Sequence, residues 1–263
     1  MDNRPIGIFD SGLGGLTVLR EVQKQLPQES VIYYADLARV PYGSKTPQEI
    51  IAINEEILRY FAGRGVKLVI VACNTSSAIA LERSKDLFAM PILGVIGPGA
   101  NTAFALTKNK KIGVLATEAT VRAHAYKNIL TSLNPSVEVY EQACPQFVPL
   151  IEKGDYDSPE LQALAAEYLR PLLQAGIDTL IYGCTHYPLI DVIIRRQAGM
   201  DLQYVDPAVG TAALAREILA GGALLAEGKR HYEFVASEYQ GGKYVRIDGR
   251  ELLLRRAPAY QEQ

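Results

Sequence analysis

The sequence predicts an α/β fold: two pseudosymmetric, doubly wound parallel-sheet domains with the active site in the cleft between them. Two observations point there. Short apolar runs without polar alternation, such as residues 68–72, alternate with amphipathic helical stretches. That is the pattern of strands buried on both faces by crossover helices. The second observation is that the chain repeats its own order in its second half.

The first copy reads element by element. Residues 6–9 are an apolar run that ends in Asp10-Ser11-Gly12. Residues 17–26 have helical spacing and stop at Pro27, and residues 31–34 form a second strand. Thr46-Pro47-Gln48-Glu49 has the arrangement of a capping box, with proline at the first helical position. The helix it opens carries Ile50, Ile53, Ile57, Leu58 and Phe61 on one face and ends at Gly63-Arg64-Gly65. Residues 68–72 then form a third strand.

The second copy begins near residue 112. Ile6-Gly7-Ile8 matches Ile112-Gly113-Val114 at an offset of 106, and Val31, Tyr33 and Tyr34 match Val137, Val139 and Tyr140 at the same offset. An insertion then moves the offset to 111, which sets Gly43 on Gly154, Phe61 on Leu172 and Cys73 on Cys184. Any two strand–helix–strand units share a helical pattern. That does not explain a cysteine at the same strand end in both. Residues 1–97 with 208–263 are therefore expected to form the first domain, and residues 98–207 the second. Ile96-Gly97-Pro98-Gly99 and Val205-Asp206-Pro207 are the expected crossings, and hinge motion is expected there. The tail after Pro207, with its apolar helix, is expected to return to the first domain.

Charge excludes some partners. Lys and Arg number 27 against 29 Asp and Glu, a net charge of −2, so no global attraction to nucleic acid or anionic membranes is expected. No apolar run spans a bilayer, and the first residues lack the basic start and apolar stretch of a signal peptide. Three scattered cysteines make no disulfide framework, and without Cys-x-x-Cys and with three histidines a structural zinc site is not expected. A cytoplasmic setting, with no metal and no cofactor, is expected.

In open parallel sheets, sites form beyond the carboxyl ends of the strands. Four such ends are polar: Asp10-Ser11, Pro41-Tyr42-Gly43-Ser44, Cys73-Asn74-Thr75 and Cys184-Thr185-His186. A single free cysteine there is most often a small buried hydrophobe. If the two lobes pack about a pseudo-twofold axis, two at equivalent positions face one cleft, which is the equipment for two-base proton transfer at one carbon. One begins as thiolate and takes a proton, while the other begins as thiol and gives one. A free thiol titrates near 8.5, so neighbours can poise each either way. His186 is placed to take or balance the Cys184 proton. Glu152 aligns with Pro41 and reaches the same cleft from the other domain. Asp10 suits either a cationic substrate amine or a helix N-cap. Gly12-Leu13-Gly14-Gly15 is neither a dinucleotide fingerprint nor a P-loop, although its amides are available to an anion. Cys144 has no repeat partner with chemistry and reads as structural.

Together, Asp10-Ser11-Gly12-Leu13-Gly14-Gly15, Val40-Pro41-Tyr42-Gly43, Ala72-Cys73-Asn74-Thr75 and Gly183-Cys184-Thr185-His186-Tyr187-Pro188 resemble the glutamate racemase family. The resemblance covers nearly the whole chain and is weakest after Leu225. It implies a cofactor-independent racemase that interconverts L- and D-glutamate and supplies the D-isomer for peptidoglycan synthesis. Its acid/base cysteines fall on Cys73 and Cys184, with Asp10, His186 and Glu152 as catalytic helpers. Its substrate contacts fall on Asp10, Ser11, Pro41, Tyr42, Gly43, Asn74, Thr75, Thr185 and His186. It also implies a homodimer and leaves room for an interaction with DNA gyrase. The alternatives are an aspartate or hydantoin racemase of the same superfamily, or a non-catalytic two-lobe binding protein. Exchange of the substrate Cα hydrogen with solvent separates the last of these from an enzyme.

Overall fold

The computed structural model describes residues 1–228 and 230–237, together with the backbone of strands 244–247, 250–253 and 255–256. The first copy runs β1 (Ile6–Asp10), α1 (Leu16–Gln25), β2 (Val31–Ala35), α2 (Pro47–Gly63), β3 (Leu68–Val71), α3 (Asn74–Ile79), α4 (Leu81–Ser84) and β4 (Ile92–Gly94). Helix α5 (Ile96–Leu106) leads to β5 (Lys111–Ala116), α6 (Glu118–Arg122), α7 (Ala125–Leu133), β6 (Glu138–Ala143), α8 (Phe147–Glu152), α9 (Pro159–Gln174), β7 (Thr179–Gly183), α10 (Asp191–Ala198) and β8 (Gln203–Val205). The chain continues through α11 (Pro207–Gly221), β9 (Tyr232–Ala236), β10 (Tyr244–Ile247), β11 (Arg250–Leu253) and β12 (Arg255–Arg256).

The strands form two all-parallel sheets, ordered β12-β9-β2-β1-β3-β4 and β6-β5-β7-β8. The core of each has one order, with the first strand of the repeat flanked by the second and third and the fourth outermost. An antiparallel pair, β10 with β11, lies outside both sheets. Helix α11 joins the apolar core around β1, β2 and α1, and β9 pairs with β2, so the chain returns to the first sheet.

The repeat is real, but its register corrects one match. Ile6 lies opposite Val31, and Ile112 lies opposite Val139, so β2 and β6 are related by 108 residues rather than 106. A two-residue slide keeps every side chain on its face, so alternation of apolar residues cannot detect it. The third strands keep the expected offset of 111, since Ile6 faces Leu68 and Ile112 faces Thr179. The repeated glycine in the first strand also has a cause. A Cβ at Gly7 would lie 2.7 Å from the ring of Phe61, and one at Gly113 would lie 2.6 Å from Ile177 and 3.3 Å from Leu172. Phe61 and Leu172 sit at matching positions on α2 and α9. Gly7 lets α2 lie close against its strand, and Gly113 makes room for Ile177, which follows α9, with Leu172 of the helix just beyond.

The Gly97-Pro98-Gly99 stretch is not a linker. It is the first turn of α5, where a proline costs no hydrogen bond because the first amides of a helix are unpaired. The second crossing is likewise a helix start, with Asp206 capping α11 through the amide of Ala208 at 2.9 Å. The two helices touch through their small residues. A Cβ at Gly99 would lie 2.9 Å from Pro207, and one at Gly210 would lie 2.9 Å from Thr102. At Gly99 the crossing is closely packed. The capping box at Thr46 is present as expected: the Glu49 amide donates to Thr46 Oγ1 at 3.3 Å, and the Thr46 amide donates to Glu49 Oε2 at 2.8 Å.

Candidate active site

Asp10 ends β1 and is fully buried. Its Oδ2 accepts from the amides of Gly12 at 3.2 Å and Gly15 at 3.0 Å, and its Oδ1 accepts from the Thr185 hydroxyl at 3.2 Å. The glycine turn therefore folds around the protein's own carboxylate, and these two amides are not free for another anion. Glycine is required for that closeness: a Cβ at Gly15 would lie 2.6 Å from Asp10 Cβ and 2.8 Å from the Tyr33 hydroxyl. At Gly14 it would lie 2.6 Å from Thr185 Oγ1 and 2.7 Å from His186 Nδ1. The turn of the first copy thus packs directly on the loop that follows β7.

Cys73 follows β3 at the start of α3, and Cys184 follows β7. Both open onto one cavity of about 220 Å³. Ser11, Pro41, Tyr42, Gly43, Asn74, Thr75, Thr185 and His186 share its walls, so the four expected strand ends meet there. Asp10 stands behind the wall, as its complete burial requires. Glu152, at the end of α8, stands behind His186.

The two thiols have different neighbours. Burial, with the Asp10 charge added, pushes the Cys73 thiol up to about 12. Cys184 Sγ lies 3.6 Å from His186 Nδ1, and His186 Nε2 lies 2.6 Å from Glu152 Oε1. Burial works against charge on His186, but the Cys184 and Glu152 contacts, with Asp10 behind them, raise it to about 10. The imidazole is therefore protonated at neutral pH, a donor to the sulfur on one side and to a carboxylate on the other. Asp10 is itself pushed upward by burial, against the His186 charge and the two glycine amides.

Tyr42 is anchored from below. Its hydroxyl donates to the buried carboxylate of Asp36, which also accepts from Arg39 Nε at 2.7 Å. Arg39 in turn forks onto Glu56 at 2.6 and 3.3 Å.

Sequence reasoning missed part of the wall. Thr117, Glu118, Val148 and Pro149 line the cavity, and so does Cys144. Thr117 meets Thr75 across the cleft, hydroxyl to hydroxyl, at 2.9 Å. A Cβ at Gly43 would lie 3.1 Å from Thr117. A signal for these was present: Thr117 follows β5 as Ser11 follows β1, and Cys144 follows β6 as Asp36 follows β2. Asking what ends each strand of the second copy finds both. Cys144 remains buried, with its thiol donating to the Gln142 carbonyl at 3.5 Å. It is nevertheless part of the cleft wall rather than remote from it.

Among the described residues, no cluster of three His, Cys, Asp or Glu could hold a metal, and no helix is long and apolar enough to cross a membrane.

Comparison with known proteins agrees with this geometry. The sequence signature of the Asp/Glu/Hydantoin racemase family matches residues 7–215. A glutamate racemase of Geobacter metallireducens is 45% identical over 98% of this chain and 96% of its own. One from Trichodesmium erythraeum is 52% identical over 81% of this chain and 78% of its own. The crystal structure of glutamate racemase from Francisella tularensis in complex with D-glutamate superposes with a TM-score of 0.86 at 36% identity, covering 91% of this chain and 90% of that one.

Proposed function

Because this chain belongs to the Asp/Glu/hydantoin racemase family, we propose that its cleft interconverts L- and D-glutamate by two-base proton transfer at Cα, with Cys73 on one face and Cys184 on the other. The observation that carries the reading is that two thiols, from equivalent strand ends of the repeat, open onto one cavity.

In one direction the Cys184 thiolate takes the Cα proton. The C–H electron pair moves toward the carboxylate, and the Cys73 thiol delivers its proton to the opposite face. The sulfurs end with their protonation exchanged, and the reverse direction runs from that state. The family resemblance assigns L-glutamate to Cys184 and D-glutamate to Cys73. Protonated His186 balances negative charge on Cys184, and Glu152 holds His186 in that state. Cys73, kept protonated by burial and Asp10, suits the role of acid for the L-isomer.

The difficult step is the removal of a weakly acidic proton beside a carboxylate. On this reading no cofactor serves as electron sink, so donors fixed in the cleft must stabilise the growing charge. Asn74, Thr75 and the backbone amides of the loops after Cys73 and Cys184 are such donors. Asp10 lies one hydrogen bond behind Thr185, and its negative charge favours a substrate ammonium. Ser11, Pro41, Tyr42 and Gly43 complete the substrate contacts. The same reading takes residues 1–97 with 208–263 and residues 98–207 as the two domains. It also includes a cytoplasmic homodimer and supply of D-glutamate for peptidoglycan.

The test is exchange of the Cα hydrogen in deuterated water, run on each pure enantiomer of glutamate. Deuterium should enter both. No incorporation from either would exclude the racemase and leave a binding protein. Faster exchange on aspartate than on glutamate would reassign the substrate.

A further inference from the structure

We infer that Tyr126 is a positioning residue for the reaction: it fixes the amide of Asn74, beside Cys73, so that its N–H groups serve the cleft. The inference rests on the racemase reading above.

Tyr126 belongs to α7, in the second copy, and is fully buried. Its hydroxyl donates to Asn74 Oδ1 at 2.7 Å, and Asn74 is the residue that follows Cys73. The side chain reaches its partner at the place where the chain crosses between sheets. A Cβ at Gly99, in the first turn of α5, would lie 3.3 Å from the Tyr126 ring and 2.9 Å from Pro207, the first residue of α11. The absence of a side chain at Gly99 leaves the ring its path. Burial, with Asp206 and Cys184 nearby, holds the phenol well above its ordinary range, so it keeps its proton.

An asparagine amide offers an acceptor on one side and two donors on the other, and only its partners decide which way it turns. Asn74 lines the cleft. With Oδ1 committed to Tyr126, the Nδ2 group is left without an acceptor among the described residues, and it is the donor end that remains for the cleft. If the amide were reversed, its oxygen would face the substrate carboxylate and repel it. The repulsion would grow as charge moves onto that carboxylate during proton removal. The phenol therefore selects the orientation that helps the transition state more than the bound substrate, and its loss should appear mainly in kcat.

The experiment compares Tyr126→Phe, Asn74→Ala and the double variant, with racemisation followed from both enantiomers. Phenylalanine keeps the ring in its packed site and removes only the hydroxyl. Tyr126→Phe is expected to lower kcat/KM about tenfold in both directions, carried mostly by kcat, as for loss of one hydrogen bond that orients a charged contact. In the Asn74→Ala background the same change should cost less than twofold, because there is no amide left to orient. Equal losses in both backgrounds would show that Tyr126 acts through packing alone and overturn the inference. So would a wild-type kcat/KM in Tyr126→Phe. Gly99→Ala supplies a second perturbation if Tyr126→Phe folds poorly: it crowds the ring without altering the phenol, and its loss should also vanish in the Asn74→Ala background. A loss of the same size in both backgrounds would again overturn the inference. A wild-type protein that exchanges no Cα hydrogen would instead refute the racemase reading itself, so the two failures are distinguishable.

Discussion

Cys73 and Cys184 occupy equivalent strand ends, yet one feels the charge of a buried carboxylate and the other contacts an imidazole. This asymmetry gives two predictions. Replacing either cysteine with serine should lower racemisation in both directions by about 10²–10⁴-fold, the usual cost of losing a general acid or base. The remaining thiol should still drive elimination from a substrate analogue with a leaving group on its β-carbon. Each variant should accept one enantiomer, and the two should prefer opposite ones. Equal elimination by both variants from both enantiomers would sink the two-face mechanism. The second prediction concerns pH. His186 is raised from about 6.5 to about 10, so the stability it contributes is complete below 6.5 and is lost as pH rises through about 10. Glu152→Gln removes one group that raises it. The alkaline fall in kcat/KM should then move to lower pH, and urea stability between pH 7 and 10 should become flatter. An unchanged alkaline limb in Glu152→Gln would remove the carboxylate from this role.

At the scale of elements, what could be read in the sequence was what local chemistry dictates. The Thr46–Glu49 box and the apolar face of α2 depend on residues within one or two turns, and both formed as the spacing requires. The paired cysteines stood out because a strand end is fixed by its own sequence. Two features needed information that no short window holds. The register of β6 against β5 depends on connection lengths, which a period of two conceals. Gly97-Pro98-Gly99 has the composition of a loop, and only the packing of α5 on α11 turns it into a helix. The glycine turn after β1 lies between these cases. Its glycines were visible, but their contact with Thr185 and His186 comes from the far end of the chain. Gly14→Ala tests that contact. The added methyl would meet Thr185 Oγ1 and His186 Nδ1, both under 2.8 Å. It should cost about 1–3 kcal/mol of stability as an overpacked site and reduce kcat/KM by more than the stability loss explains. Wild-type kinetics in a folded Gly14→Ala protein would mean that the turn and the loop are not rigidly engaged.

At the scale of the whole molecule, the cleft is served by one end of the first sheet, and the opposite end carries a different device. Lys67 precedes β3, and its Nζ lies 2.5 Å from Glu29 Oε2, with both side chains almost completely buried. The same nitrogen donates to the carbonyls of Asp2 at 2.6 Å and Leu224 at 2.7 Å, and Glu29 Oε1 accepts from the amide of Ala226 at 2.9 Å. One ion pair thus joins the beginning of the chain, the turn before β2, the entry to β3 and the stretch that follows α11. That stretch leads to β9, which extends the first sheet. A buried pair contributes little net stability against well-packed apolar residues, but a buried charge left alone is costly. Lys67→Met should therefore destabilise the protein by about 3–5 kcal/mol, read by urea unfolding near neutral pH. Lys67→Met with Glu29→Leu should recover part of that loss, because no lone charge remains. Recovery should be incomplete, since the Asp2 and Leu224 carbonyls and the Ala226 amide still lose their partners. In the folded fraction, kcat and KM should match the wild type, because none of these residues lines the cleft. A double variant less stable than Lys67→Met alone would show that the unpaired Glu29 charge is not the source of the loss. A change in kcat would show that strain at this end of the sheet reaches the thiols at the other.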